Sequence, residues 1–210
     1  MTYTRAIGVA CNKVISLIVR GLALSRIHPD VLTFIGLVIN AVAAVLLASG
    51  RFFAAGVVMI TAGLFDMVDG RVARETQQVT LFGGFFDSVV DRYSDLVLLM
   101  GLLVYYASIN RFFYIVLTAV VMTASVMVSY TRARAECSIP KCKVGFMERP
   151  ERMVLLIIGA LFNRMAPVLW VIAVVGNISV VHRMLFTWQE AKRLEEAQLR
   201  AVPSGLGQKT

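Results

Sequence analysis

The sequence predicts an all-α integral membrane protein with six transmembrane helices and an N-terminal amphipathic helix lying in the interface. Three observations carry this expectation. Hydrophobic residues make up 58% of the 210 and charged residues only 16%, whereas a soluble domain averages close to a quarter charged. Six apolar runs are long enough to cross a hydrocarbon core of about 30 Å. The basic residues gather on one side of the resulting topology, as they do for cytoplasmic loops.

Taken in order, residues 5–24 come first. Ile7, Val14, Ile15, Ile18 and Leu22 share one helical face, with Arg5, Lys13 and Arg20 elsewhere. Such a helix rests on the headgroup plane. Asn12, Lys13, Ser16 and Arg20 interrupt its apolar stretch, so it is not a secretory signal. The spans fall near 31–50, 53–74, 83–108, 112–134, 148–163 and 165–185. In the fifth, the apolar core MVLLIIGALF is short and bounded by Asn163 and Arg164; it spans only if its helix starts within ERPER. TWQEAKRLEEAQLR reads as a solvated helix and AVPSGLGQKT as a frayed tail. The expected division is an interfacial helix (1–27), a membrane domain (28–188) and a cytoplasmic tail (189–210), without internal repeats. Cys11, Cys137 and Cys142 make a poor zinc pattern and read as reduced thiols.

Charge orients the chain. Seventeen of its 21 Lys and Arg fall on the side of the termini and of the second–third and fourth–fifth connections. Arg51, Arg111 and Arg164 fall on the other, and Arg92 lies within the third span. Both termini are therefore expected in the cytoplasm. The net charge of +8 suits anionic headgroups and phosphorylated substrates and calls for no nucleic acid.

Against this apolar background, four carboxylates stand out. Asp66 and Asp69 are three residues apart, Asp87 and Asp91 four, so each pair projects from one face of its helix. ETQQVT joins the two spans as antiparallel neighbours, which lets all four converge at one depth. A carboxylate there costs several kcal/mol (about 2.5–3.5 on insertion scales) unless neutralised. Oxygen ligands without Cys or His favour Mg²⁺ or Mn²⁺ over zinc. Gly70, Ala73, Gly83 and Gly84 are small residues that would let these helices approach closely; Gly70 could also bring a ligand against the backbone. Arg74, one turn beyond Gly70, can offer a phosphate its guanidinium fork.

The run Asp66-x2-Asp69-Gly70-x2-Ala73-Arg74-x8-Gly83-x3-Asp87-x3-Asp91 resembles the signature of the CDP-alcohol phosphatidyltransferases at every fixed position. The resemblance implies a six-helix fold, a polar cavity facing the cytoplasm and a homodimer in the cell (plasma) membrane. HPDVLTFIG (28–36) is similar to the family's Pro-x-x-x-Thr segment beside the nucleotide. SYTRARAE (129–136) and GFMERPER (145–152) resemble the branch that uses inositol phosphate, the bacterial phosphatidylinositol phosphate synthases. The likeness extends over about residues 20–188.

In that family the alcohol attacks the β-phosphorus of a CDP-linked lipid and CMP leaves, so CDP-diacylglycerol and myo-inositol phosphate are the implied substrates. Two divalent ions, Mg²⁺ or Mn²⁺, would be held by Asp66, Asp69, Asp87 and Asp91, and Asp91 would also be the general base. Gly70, Arg74 and Thr80 would line the diphosphate, together with Asp66, Asp69 and Ala73 of the signature, and Asp30, Val31, Leu32 and Thr33 would lie near it. Four arginines outside the signature point to a phosphorylated acceptor: Arg132, Arg134, Arg152 and Arg183 all fall at the same membrane face as the aspartates. Arg132 stands where the actinobacterial enzymes commonly have lysine. Glu148 and Glu151 are expected to pair with Arg149 or nearby basic residues, Arg92 to neutralise part of the acidic cluster, and Asp95 to be a structural partner of Arg92 or a neighbouring helix.

Other readings stay open at this point. The acceptor could be glycerol 3-phosphate, free inositol or serine, or the donor an ether lipid. A divalent-cation transporter would also keep intramembrane carboxylates, but it has no need of the Gly70-x2-Ala73-Arg74 elements and would want acids toward the outer face.

Overall fold

The computed structural model describes residues 29–75, 80–140, 142 and 144–201; side chains at 29, 68–75 and 198–201 lie outside that description. The expected interfacial helix at 5–24 falls outside the described residues as well.

The described chain is all-helical. Six helices follow in order: α1 (Pro29–Ala48), α2 (Phe52–Glu75), α3 (Leu81–Ser108), α4 (Phe112–Ala135), α5 (Arg149–Leu161) and α6 (Met165–Ala201). Pro29 opens α1 with a φ already suited to a helix, and Asp30 in the first turn meets the positive end of the helix dipole. Thr80 caps α3, its Oγ1 accepting a hydrogen bond from the Gly83 N–H at 2.9 Å.

Three-residue turns at 49–51, 109–111 and 162–164 join α1 to α2, α3 to α4 and α5 to α6. Each reverses through a left-handed residue: Gly50 at φ 74°, Asn110 at 54° and Asn163 at 53°. Glycine and asparagine tolerate that conformation best. Each turn also carries one arginine (Arg51, Arg111, Arg164), so the three sparse charges assigned to the outer side sit together at the ends of three hairpins.

The helices pack as a closed ring in the order α1, α2, α5, α6, α4, α3. Leu47, Met59, Leu98, Leu102, Val121, Leu169 and Ile172 fill its centre. α1 and α3 approach so closely that a Cβ at Gly101 would run into the Ala44 backbone, which explains a glycine in mid-helix. The outer surface is apolar, with Val45 65% and Phe53 67% exposed. A soluble protein rarely carries so large an apolar surface, and a bilayer accommodates one.

The spans differ in kind. Asp30–Ala48, Phe112–Ala135 and Met165–Ala197 are long and apolar enough to cross a membrane, and Phe52–Met67 is a shorter apolar helix. α3 has the length, but Asp87, Asp91, Arg92 and Asp95 load the stretch from its second turn to its middle with charge. The fifth run forms a helix of only 13 residues, about 20 Å at 1.5 Å per residue, shorter than the hydrocarbon core. It starts within ERPER as expected and stops at the Phe162 cap. α6 runs unbroken past residue 188 to Ala201, so the chain leaves the bundle along one continuous helix.

Candidate active site

α2, α3 and the start of α5 build the acidic centre; α2 and α3 are not the packed neighbours expected from their short connection, because α1 packs against both and lies between them. α2 brings Asp66; α3 brings Asp87 and Asp91 one turn apart. One carboxylate oxygen from each of the three lies within 4.8 Å of the others. Asp69, Gly70, Ala73 and Arg74 fall on the last turns of α2, and their side chains lie outside the described residues.

Among the described residues, the cation nearest this centre belongs to a residue the sequence did not single out for it. Arg149 Nη1 is 2.7 Å from Asp66 Oδ2 and 2.8 Å from Asp91 Oδ1, and its Nε is 3.8 Å from Asp95 Oδ1. The contact to Asp66 is an aligned hydrogen bond. The contact to Asp91 is close but misaligned, and Asp91 Oδ1 remains buried without a hydrogen-bond partner. Asp91 Oδ1 is buried and its close contact is a misaligned guanidinium, so a ligand meeting the oxygen along its lone pairs would improve on that contact. Three hard oxygen donors gathered in this way fit a divalent cation of the Mg²⁺ or Mn²⁺ type.

Beside the carboxylates lies a cavity of about 420 Å³ whose wall includes Asp91, Arg92, Asp95, Arg132, Glu148, Arg149, Arg152 and Arg183. The structure thus brings together three of the four arginines expected for an acceptor phosphate. Arg134 is exposed and lies outside the cavity lining. Arg152 is 3% exposed. It donates to Asp95 Oδ2, and at 3.0 Å to the Met147 carbonyl. Arg183, 1% exposed, donates to the carbonyls of Val128 and Val144 and to Glu148 Oε1. Gly145 (φ 109°) makes room for it: a Cβ there would stand 2.7 Å from Arg183 Nε. Arg132 donates to the same Glu148 oxygen at 2.6 Å.

Several partnerships differ from expectation. Glu148 joins Arg132 and Arg183, while Arg149 goes to the aspartates. Asp95, by contrast, takes one of its two expected partners, a neighbouring helix: it pairs with Arg152 on α5. Arg92 donates to the Ser88 carbonyl one turn back on its own helix, and it lines the cavity. One signal for Arg149 was available in the sequence. It stands in the first turn of α5, just before Pro150, where a positive charge opposes the helix dipole and needs an acid from elsewhere.

Near the expected nucleotide segment, a Cβ at Gly83 would lie 3.4 Å from Asp30 Oδ1 and 2.9 Å from Thr80 Oγ1. The first turns of α1 and α3 therefore meet, bringing Asp30 and Thr80 together. Val31 faces outward at 49% exposure and Leu32 is buried at 2%, so Leu32 can offer a ligand only its backbone. Thr33 is buried at 8%.

A second cavity, also about 420 Å³ but almost wholly apolar, opens between α2 and α5. Ile60, Leu64, Met67, Met153, Val154 and Ile157 line it, and it shares Arg149 and Pro150 with the polar cavity.

Comparisons with known proteins agree with this arrangement. The family model described as CDP-alcohol phosphatidyltransferase matches residues 26–189. The archaetidylinositol phosphate synthase of Methanothermobacter thermautotrophicus is 32% identical over 169 residues, covering 78% of this chain and 84% of that protein. The phosphatidylinositol phosphate synthase of Mycobacterium tuberculosis is 36% identical over 182 residues, covering 81% and 84%. The crystal structure of the M. tuberculosis synthase with CDP-DAG bound superposes with a TM-score of 0.77 at 32% identity, covering 84% of this chain and 94% of that one. The structure of that synthase with manganese and citrate gives 0.76 at 33%, covering 83% and 88%. The chain belongs to the CDP-alcohol phosphatidyltransferase family.

Proposed function

We propose that this enzyme transfers the phosphatidyl group of CDP-diacylglycerol to myo-inositol phosphate, releasing phosphatidylinositol phosphate and CMP. The observation that carries the reading is the shared wall of the polar cavity. Asp91, the candidate base, and Arg132, Arg152 and Arg183, the candidate phosphate ligands, face one volume of about 420 Å³. A sugar phosphate held by those guanidiniums presents a hydroxyl toward Asp91, which takes its proton as the oxygen attacks the β-phosphorus. The new oxygen–phosphorus bond forms as the bond to CMP breaks, with no covalent enzyme intermediate. Two divalent ions, Mg²⁺ or Mn²⁺, held by Asp66, Asp69, Asp87 and Asp91, would neutralise the diphosphate and the leaving CMP. Gly70, Ala73, Arg74 and Thr80, with the Asp30–Thr33 turn, would hold the CDP moiety.

The apolar cavity supports a lipid donor, since an acyl chain lying there would begin beside Asp66 and Arg149. An ether-lipid donor is the second reading, favoured by the archaetidylinositol phosphate synthase among the relatives. The remaining assignments are part of the same proposal: six membrane crossings with the short α5 among them, an interfacial helix in 1–27, a membrane domain over 28–188 and a tail at 189–210. We place the enzyme in the plasma membrane as a homodimer with both termini and the active site cytoplasmic. The single arginine in each of the three short turns supports that orientation.

The test is CMP release by purified protein with Mg²⁺ and CDP-diacylglycerol, offered inositol phosphate, inositol, glycerol 3-phosphate or serine. Release with inositol phosphate alone is expected. Exclusive use of serine or glycerol 3-phosphate would overturn the acceptor, and no release with any of them would overturn the transferase assignment.

A further inference from the structure

We propose that Arg149 is a built-in counter-ion of the carboxylate centre, exchanging with the divalent cation and turning to the acceptor's phosphate when displaced. The proposal rests on the metal-dependent transferase reading above. A single nitrogen, Arg149 Nη1, stands 2.7 and 2.8 Å from Asp66 and Asp91. These are two of the three carboxylates whose oxygens converge. Divalent ions of this type bind oxygen at about 2.0–2.6 Å. A guanidinium bridging two of these carboxylates therefore stands in the way of a cation, and two positive groups cannot share that space.

Its fixation is incomplete. Arg149 Nε is buried without a hydrogen-bond partner, as are Asp91 Oδ1 and Asp95 Oδ1 on the acids around it. Arg183 offers the contrast: Nε, Nη1 and Nη2 all donate, two of them to backbone carbonyls. A half-satisfied buried network gains from rearrangement, whereas a satisfied one resists it. Nor does the helix hold Arg149, because its place in the first turn of α5 sets its charge against the dipole.

A displaced Arg149 has a destination. With Pro150 it forms the partition between the polar cavity and the apolar cleft, and the polar side already gathers Arg132, Arg152 and Arg183. In the resting enzyme Arg149 keeps the carboxylates neutralised at membrane depth. Cation loading then releases a fourth guanidinium toward the phosphate. Cation and phosphate consequently bind with positive coupling, and that coupling is reciprocal.

The experiment measures Mn²⁺ binding to full-length detergent-purified protein by the electron paramagnetic resonance of free Mn²⁺, with and without inorganic phosphate. In the wild type, phosphate is expected to tighten Mn²⁺ binding by about tenfold, within the usual range of coupling. Arg149→Gln should bind Mn²⁺ alone more tightly and lose the phosphate effect. Arg149→Lys, which keeps the charge without the fork and covers a Gln variant that does not fold, should show the coupling reduced at least threefold, an effect of about 0.65 kcal/mol. Tighter Mn²⁺ binding with coupling intact would mean simple charge removal and would overturn the exchange. Wild-type coupling in either variant would do the same. Failure of the wild type to bind Mn²⁺, or binding indifferent to Asp87→Asn, would overturn the metal-centre reading and this inference together.

Discussion

Replacing Arg152 by methionine removes one half of a nearly water-free ion pair. The Arg152 side chain is 4% exposed and that of Asp95 6%, and they bond directly through Nη2 and Oδ2. Methionine fills much of the same volume but leaves the Asp95 carboxylate buried without its hydrogen-bonded partner, with only the Arg149 Nε 3.8 Å away on α5. Stranding one member of a buried pair costs about 3–5 kcal/mol, and replacing both members by apolar residues is often neutral. For a chain of this size each kcal/mol shifts the midpoint by about 2–4 °C, so the single variant should melt roughly 6–20 °C lower. The double variant Arg152→Met/Asp95→Leu should recover most of that loss while remaining impaired with inositol phosphate, because Arg152 lines the polar cavity. Thermal unfolding in detergent, followed by tryptophan fluorescence, reads the first effect and acceptor KM the second. A single variant melting within 2 °C of the wild type, or a double variant no better than the single, would refute the buried-pair argument.

Three further outcomes are expected. Asp91→Asn should lower turnover by about 10²–10⁴-fold, the usual contribution of a general base, while titration calorimetry still detects CDP-diacylglycerol binding; near-normal turnover would remove Asp91 from that role. Glu148→Gln should lower the acceptor KM by about two- to fivefold and leave the donor KM unchanged. It removes a half-exposed carboxylate that competes for Arg132 and Arg183, and such pairs are worth about 0.2–1 kcal/mol; a rise in acceptor KM would instead make Glu148 an orienting group. Gly101→Ala should lower the melting temperature clearly, since its Cβ meets the Ala44 backbone, whereas Gly84→Ala, with open space around it, should not; equal effects would contradict the close α1–α3 contact.

What the sequence revealed follows from what local spacing can encode. Asp87 and Asp91 share a face because four residues make about one helical turn, and the short link after α2 keeps Asp66 at the same end of the bundle, although α1 packs between α2 and α3. The structure bears out that convergence for Asp66, Asp87 and Asp91. Long-range pairings were not legible. Arg149 reaches Asp66 across 83 positions, and Arg152 reaches Asp95 across 57. No periodicity within ERPER says which acid each arginine meets. The fifth helix was more legible: the sequence marked a start within ERPER and a stop before Asn163 and Arg164, and the helix is Arg149–Leu161, 13 residues. Arg134 illustrates a further limit. It lies only two residues from Arg132, yet on a helix two residues point to different faces, and only Arg132 lines the cavity.

The central claim is that Asp66, Asp87 and Asp91 form a divalent-cation centre from which Arg149 must withdraw. Anomalous diffraction from crystals soaked in Mn²⁺ tests it most directly. The account predicts an anomalous peak bonded to oxygens of all three aspartates, with the Arg149 guanidinium moved from between Asp66 and Asp91 into the polar cavity. A peak elsewhere, or Arg149 still bridging the two carboxylates in Mn²⁺-loaded crystals, would contradict it.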